Sequence, residues 1–449
     1  MSKMNDIRMT STQLKQLGEI MRESQDETAI FLLAGVFKTK SGIHFTVKRI
    51  ITPKENEYDS RSALHIQVSP LFFNKVISLA EANNVTIIQC HSHPGADYLQ
   101  YSVTDNRGES ASSKTIQDNI GLPMGSLLFG REKIIGRAWL TPKKNQPIHE
   151  IRIVDRHYRK KILVKQNKKK QIDEEIYDRQ IRAFGLRGQE LLSQLKVGIV
   201  GLGGTGSAVA EQLAREGIED FVLMEHDIIE PSNKTRIYGS HHDDTGPKTK
   251  IIKRNIKAIN PHASVKLVQK QLESENDLEL LSDCDVVFSC TDRHTPRALL
   301  IILAHAYSIP VIDVGVGLDS ENEMIVSGHV RATLIAPSLP CLRCIGVVNS
   351  DTILAESMPE KDRQSMEEHG YIQGLNDDVP AVIPYTTWAA CLGVVLFKDL
   401  LFNSLKTEAN TLVQDVTSFE SSKLVASSQP DCVCIARQAR CRYKEIGGD

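Results

Sequence analysis

The segment GLGGTG, residues 201–206, lies between an apolar run, LKVGIV (195–200), and a helix-like run, SAVAEQLAREG. An apolar strand, a glycine-rich turn and a helix in that order constrain the chain more than any other feature. Glycines let the backbone approach a phosphate, and the following helix N-terminus favours negative charge. Further strand-like runs follow at FVLME (221–225), SVKLV (264–268), DVVFSC (285–290) and PVIDV (310–314), with helical segments between most of them. That alternation predicts βαβ units and an α/β fold with a mainly parallel sheet covered by helices.

A glycine loop alone suits NAD as readily as ATP, so the neighbouring residues decide. Glu225 stands at the end of the next strand, where an acid can bind ribose hydroxyls. Ser232, Asn233 and Arg236 follow, then Lys248 in GPK and Asp292 in CTDR. Arg and Lys can neutralise a triphosphate, and Asp292 can hold Mg2+. A nicotinamide enzyme needs no such clamp. Together these residues resemble the ThiF/ubiquitin-activating superfamily, over about residues 176–436. YDRQIRAFG (177–185) is similar to its N-terminal signature, GLGGTG to its phosphate loop, and EHDIIEPSNKTR to its DxDxVxxSNLNRQ. This chain departs there with Glu225 for Asp, Lys234-Thr235 for Leu-Asn and Ile237 for Gln. The resemblance implies a Rossmann-like adenylation domain that uses ATP and Mg2+ to adenylate the C-terminal glycine of a ubiquitin-like protein. It assigns nucleotide contacts to Gly201, Gly203, Gly204, Gly206, Glu225, Asn233, Arg236, Lys248 and Asp292. It also implies a homodimer in which Arg179 reaches the partner subunit's triphosphate. Sulfur-carrier activation for cofactor or amino-acid synthesis is the alternative pathway, and a non-catalytic modifier-binding scaffold is the alternative of another class.

Nine cysteines spread over 449 residues are not a disulfide framework. Cys341 and Cys344 (CLRC) and Cys432 and Cys434 (CVC) are two knuckles able to form a structural zinc site of four thiolates. The second knuckle is one residue shorter than the superfamily's usual CxxC, and Cys441 is a substitute ligand. Residues 346–380 contain no cysteine, and Cys391 lies in an apolar helix-like run that predicts a buried core thiol. No thioester cysteine is therefore assigned.

The first half carries a second constellation, HSHPGADYLQYSVTD (91–105). His91 and His93 leave a strand, VTIIQC, at spacing i, i+2 and can share a cation. Asp105 completes two histidines and a carboxylate, leaving one position for water, which is the ligand economy of catalytic zinc. Zinc brings that water's pKa toward ~7. Glu27 is the candidate proton carrier and Ser102 a candidate donor to an oxyanion. The HxHP and SxxD pair resembles the JAB/MPN metalloproteases, the JAMM isopeptidases, over about residues 10–145. The resemblance implies an α+β domain that hydrolyses peptide or isopeptide bonds at a modifier's C-terminus.

The expected organisation is thus a JAB/MPN-like domain at 1–155, a basic linker at 156–175 (RHYRKKILVKQNKKKQIDEE) and a ThiF-like domain at 176–449. The expected partner is a ubiquitin-like or sulfur-carrier protein ending in glycine, with a conjugating enzyme as a further one. A net charge of -2 makes no electrostatic case for nucleic acid or a membrane surface. No apolar run is read as reaching the ~20 residues of a bilayer span, and a cytoplasmic protein is expected.

Overall fold

The computed structural model describes residues 4–96, 98–164, 172–359 and 380–441. The chain divides into two compact units. One comprises residues 1–168 with 305–308 and 437–449; the other comprises residues 169–304 and 309–436.

The first unit runs β1 (Asp6–Met9), α1 (Ser11–Glu23), β2 (Ala29–Lys38), β3 (Ile43–Ile51), β4 (Tyr58–Ser62), β5 (His65–Val68), α2 (Pro70–Ala82), β6 (Thr86–Ser92), α3 (Val103–Ile120), β7 (Met124–Phe129), β8 (Ile134–Thr141), β9 (Lys144–Pro147), β10 (Glu150–Val154) and β11 (Tyr158–Ile162). Nine strands form one mixed sheet, ordered β11-β10-β1-β3-β2-β6-β7-β8-β9. β2 is apolar along its whole length because both faces of the sheet are covered. Ile30, Leu32 and Ala34 enter the core that includes Leu17 and Met21 of α1. Ala29, Phe31 and Leu33 enter the core that includes Val76 of α2 and Ile116 of α3. Thr10 starts α1 with a reciprocal capping box to Gln13, satisfying two donors that the first turn leaves free. The expected linker begins instead as β11, antiparallel to β10 with Val154 opposite Tyr158. Its three consecutive basic side chains, Arg159, Lys160 and Lys161, suit a sheet edge. Residues 165–171 of that stretch lie outside the described residues.

The second unit runs α4 (Asp178–Gln194), β12 (Lys196–Val200), α5 (Gly204–Arg215), β13 (Asp220–Met224), α6 (Lys248–Ile259), β14 (Ser264–Val268), β15 (Val286–Ser289), α7 (His294–Ala306), β16 (Val311–Glu321), β17 (Met324–Ile335), α8 (Ser350–Glu356), α9 (Ile383–Phe402), β18 (Thr411–Asp415) and β19 (Ser421–Leu424). The sheet order is β14-β13-β12-β15-β16-β17-β18-β19. Its first five strands are parallel, and β17, β18 and β19 add antiparallel pairs. β12 lies centrally, so the loop after it opens where the strand order reverses, the usual ligand crevice of such sheets.

α9 departs from the expectation about apolar runs. Its 20 residues are long and apolar enough to cross a bilayer by length and composition. It packs on α5, β16 and β17, with Ala389, Leu396, Phe397 and Leu400 fully buried. A core helix covered on several sides carries the same apolar signal as a span.

Candidate functional site

The glycine loop after β12 is built by close approach. Gly201 has φ +86, and a Cβ there would meet the Cys290 carbonyl at 2.6 Å. A Cβ on Gly206 would lie 1.9 Å from the Gly201 carbonyl, so a larger residue would push α5 away from β12. A Cβ on Gly204 would come within 3.2 Å of Arg236 Cδ, whereas Gly203 faces open space. The N–H groups of the first turn of α5 have no intrahelical acceptor, and with the helix dipole they offer a site for phosphate.

Glu225 is buried at the end of β13, and its carboxylate is already engaged. Oε2 accepts the Leu202 N–H at 2.9 Å, and Oε1 accepts those of His226 at 2.8 Å and Asp227 at 3.1 Å. The longer acid thus reaches back to pin the glycine loop, a role that its departure from Asp did not reveal. Asn233 is buried in a short 3-10 turn and accepts the Glu230 N–H at 3.3 Å. Arg236 donates to the Ser232 carbonyl at 2.9 Å. Lys248, at the start of α6, is buried and bonds Asp227 Oδ2 at 2.7 Å. Asp292 is exposed two residues past Cys290, in the loop after β15, which runs parallel to β12. Arg179 is 90% exposed on α4, with Asp178 3.9 Å away.

Beside this crevice lies a buried ionic cluster that the sequence reading missed. Asp313 on β16 accepts from Ser289 at 2.7 Å, Arg297 at 3.1 Å and Arg331 at 2.6 Å. Burial opposes its ionisation, but Arg297 and Arg331 outweigh that and hold its carboxyl below the usual range. Two guanidinium groups around one carboxylate give the end of β15 a surplus of positive charge.

The four cysteines converge. Sγ–Sγ distances are 3.8 Å for Cys341–Cys344, 3.5 Å for Cys341–Cys432 and 3.7 Å for Cys344–Cys434. Zn–S bonds of about 2.3 Å at tetrahedral angles set sulfurs about 3.8 Å apart, so these thiols fit a zinc ion. The short CVC knuckle is accommodated because Val433–Ala436 turn as one helical turn. Cys441 is not needed as a substitute: it belongs to the first unit, where burial pushes its thiol up to about 12. Cys391 is exposed on α9, against the expectation of a core thiol. Its run is apolar, but position 391 falls on the one stripe of the helix that leaves the core.

In the first unit, β6 ends at Ser92 and presents His91 and His93 toward α3. His91 Nε2 lies 3.2 Å from Asp105 Oδ1, and His93 Nε2 lies 3.6 Å from both Asp105 Oδ2 and Glu27 Oε1. His91, His93 and Asp105 each offer a donor atom within 4.8 Å of the others. His91 Nε2 is buried and meets Asp105 Oδ1 only as an ion pair outside hydrogen-bond geometry, an unsatisfied state that a shared metal ion would relieve. The three residues therefore fit zinc. Burial pushes Glu27 up to about 7 and lowers His93. Burial works against Asp105 too, but His91 beside it and the Ser102 hydrogen bonds keep it below the usual carboxylate range. Ser102 caps α3: its Oγ accepts the Asp105 N–H at 3.0 Å, while Asp105 Oδ2 accepts the Ser102 N–H at 2.6 Å.

Residues 177–434 match the model of the ThiF family. The chain belongs to the ThiF family. It is 32% identical over 173 residues to a molybdopterin-synthase adenylyltransferase of Escherichia coli, covering 38% of this chain and 66% of that protein. It is 30% identical over 162 residues to a SAMP-activating enzyme E1 of Haloferax volcanii (36% and 57%). It is 32% identical over 162 residues to a sulfur carrier protein adenylyltransferase of Thermus thermophilus (36% and 59%). The chain thus spans about three fifths to two thirds of the length of these relatives. Among solved structures, the microcin C7 biosynthetic enzyme MccB in complex with N-formylated MccA aligns with TM-score 0.48 and 20% identity, covering 59% of this chain and 75% of that one. The ThiF match contains the glycine loop, Lys248, Asp292 and the four cysteines; the histidine cluster precedes it.

The pairings of two acids in the ThiF region, Asp227 with Lys248 and Asp313 with Arg297 and Arg331, are not legible in the sequence. Asp227 is one more acid in an acidic loop, and Asp313 lies in an apolar strand whose cationic partners come from α7 and β17. A charged residue at the buried end of a strand was the one available hint for Asp313.

Proposed function

We propose that this chain adenylates the C-terminal carboxylate of a small carrier protein ending in glycine, on the sulfur-carrier side of the ThiF family. The observation that carries this reading is the crevice after β12, where the free N-terminus of α5, Arg236 and the Lys248–Asp227 pair provide for a triphosphate. In the reaction a carboxylate oxygen of the carrier attacks the α-phosphorus of ATP, and the bond to pyrophosphate breaks. Bound Mg2+, held by Asp292, would neutralise charge on the leaving group. The chain's own part is positioning and charge: the α5 N–H groups orient the phosphates, Lys248 leaves Asp227 for a phosphate oxygen, and Glu225 keeps the loop fixed. Arg179 would act on the crevice of a second copy. The name of the Thermus thermophilus relative, a sulfur carrier protein adenylyltransferase, favours the sulfur-carrier direction over ligation. The test is pyrophosphate exchange into ATP with purified glycine-ended carriers. Exchange that needs the terminal glycine supports the reading; none with any carrier of the host sinks it.

The histidine cluster favours a second activity, hydrolysis of a peptide or isopeptide bond at the carrier's C-terminus. His91, His93 and Asp105 would hold zinc, which when bound supplies an acidified water. Glu27, poised near neutral pH, can take a proton and release it to a leaving amine. Ser102 is free to donate its hydroxyl proton to a developing oxyanion. One chain carrying both activities would raise the local concentration of the same tail at each site. Cleavage of a carrier extended beyond its glycine, with zinc restored after chelation, is the measurement; an inert zinc-loaded chain removes this second reading.

A further inference from the structure

Asp105 can serve as a ligand only if α3 is held at one height and one rotation against the sheet. The capping box fixes the carboxylate relative to the helix start, not the helix relative to β6. That second constraint comes from a buried ionic group one turn along α3. Glu109 is four residues after Asp105, on the same side of the helix, and is 2% exposed. Its Oε2 accepts from Arg137 Nε at 2.7 Å and from Trp139 Nε1 at 2.7 Å, and its Oε1 accepts from Ser126 Oγ at 2.6 Å. Ser126 and Arg137 face each other across β7 and β8. Glu109 is therefore bonded to two strands at once.

Arg137 does more than neutralise Glu109. Its guanidinium lies 3.6 Å from the centroid of the Tyr101 ring, and its Nη1 donates to Asn106 Oδ1 at 2.5 Å. Tyr101 is the residue before Ser102, and Asn106 is the residue after Asp105. One side chain thus touches both ends of the segment that carries Ser102 and Asp105, and Glu109 below it. The Tyr101 hydroxyl, 3.3 Å from Ser126 Oγ, closes the ring of contacts.

We propose that Arg137 and Glu109 are positioning residues of the metal centre, a bracket that sets Asp105 at ligand distance from His91 and His93. This rests on the zinc reading above. Partners outside a ligand set typically change metal affinity by about 10–100-fold when removed, and the bracket should act at that scale.

The test is zinc content of the full chain across a graded series of chelators, with the visible spectrum of cobalt loaded at the histidine site. Wild type should hold two ions, one lost on His93→Ala and the other on Cys344→Ser. The double variant Glu109→Gln/Arg137→Met removes both buried charges, avoiding a lone one. It should bind the His93-dependent ion about 10–100-fold more weakly, shift its cobalt bands, and leave the thiolate ion unchanged. Asn106→Ala, at an exposed position with no folding risk, should weaken the same ion by a smaller factor. Ile116→Val, which loosens the core under α3 without touching the bracket, should leave affinity and spectrum at wild type. Wild-type affinity and spectrum in both bracket variants would overturn the proposal, as would an equal loss in Ile116→Val. A wild type that binds only the thiolate ion would instead remove the zinc reading itself.

Discussion

Lys248 Nζ and Asp227 Oδ2 lie 2.7 Å apart, and the lysine is buried while the aspartate is half exposed. The pair keeps a cation in the crevice without leaving it unpaired, which burial would penalise. An incoming phosphate can take Asp227's place because the carboxylate is half exposed and its other oxygen keeps His226 Nε2 as a partner at 3.1 Å. Lys248→Ala should therefore lower pyrophosphate exchange by about 10²–10³, the usual cost of one group that stabilises transition-state charge. Lys248→Arg should not restore it, since the planar fork does not fit a buried point-charge position. Exchange assays at saturating ATP with circular dichroism as a fold control decide this.

The Asp313 cluster predicts a dependence of stability on pH. Asp313→Asn leaves Arg297 and Arg331 facing an uncharged amide in a buried place, which should cost about 3–5 kcal/mol. The folded carboxyl titrates below its ordinary value. Its contribution is therefore complete above the unfolded value of about 4 and is lost as the pH falls through the folded one. Urea unfolding should show a constant gap between wild type and Asp313→Asn from pH 8 to pH 5, narrowing below pH 4. A gap that widens on acidification would contradict the assignment.

The parallel strands and the glycine loop were legible because their signals are local: an apolar run, a turn that tolerates only glycine, a helix start. The expected nucleotide residues follow from the same local pattern. The hidden parts are set by pairing across distance. β16 was read as PVIDV, but it continues to Glu321 and pairs with β17 out to Met324, where exposed polar residues erase the periodicity. Glu109, Arg137 and Trp139 meet only because α3 lies over β8. Cys391 was misread because an apolar helix still has one exposed stripe, and no residue pattern in 383–402 marks which stripe it is.

The cysteine cluster predicts that metal removal acts on the second unit. Cys344→Ser should lose the bound zinc and lower the melting midpoint. For a domain of this size each kcal/mol lost shifts the midpoint by about 2–4 °C. Cys441→Ser should keep the wild-type zinc content at the four thiolates, since Cys441 belongs to the other unit. Metal analysis of the two variants beside a melting curve separates these outcomes; a fall in zinc for Cys441→Ser would return it to the ligand set.

The histidine cluster predicts two different losses from two neighbouring residues. His93 supplies a donor atom, so His93→Ala should lose both the ion and the hydrolysis. Glu27 faces His93 at 3.6 Å but lies outside the set of converging donors. Glu27→Gln keeps size and polarity and removes the proton carrier. It should retain the ion and lower cleavage of an extended carrier by about 10²–10⁴, the usual share of general acid–base catalysis. Neither change touches the crevice after β12, so both variants should keep wild-type pyrophosphate exchange. Zinc content, cleavage and exchange measured on the same preparations settle the assignment: a Glu27→Gln chain that loses its ion makes Glu27 a ligand, and one that cleaves at the wild-type rate removes it from the chemistry.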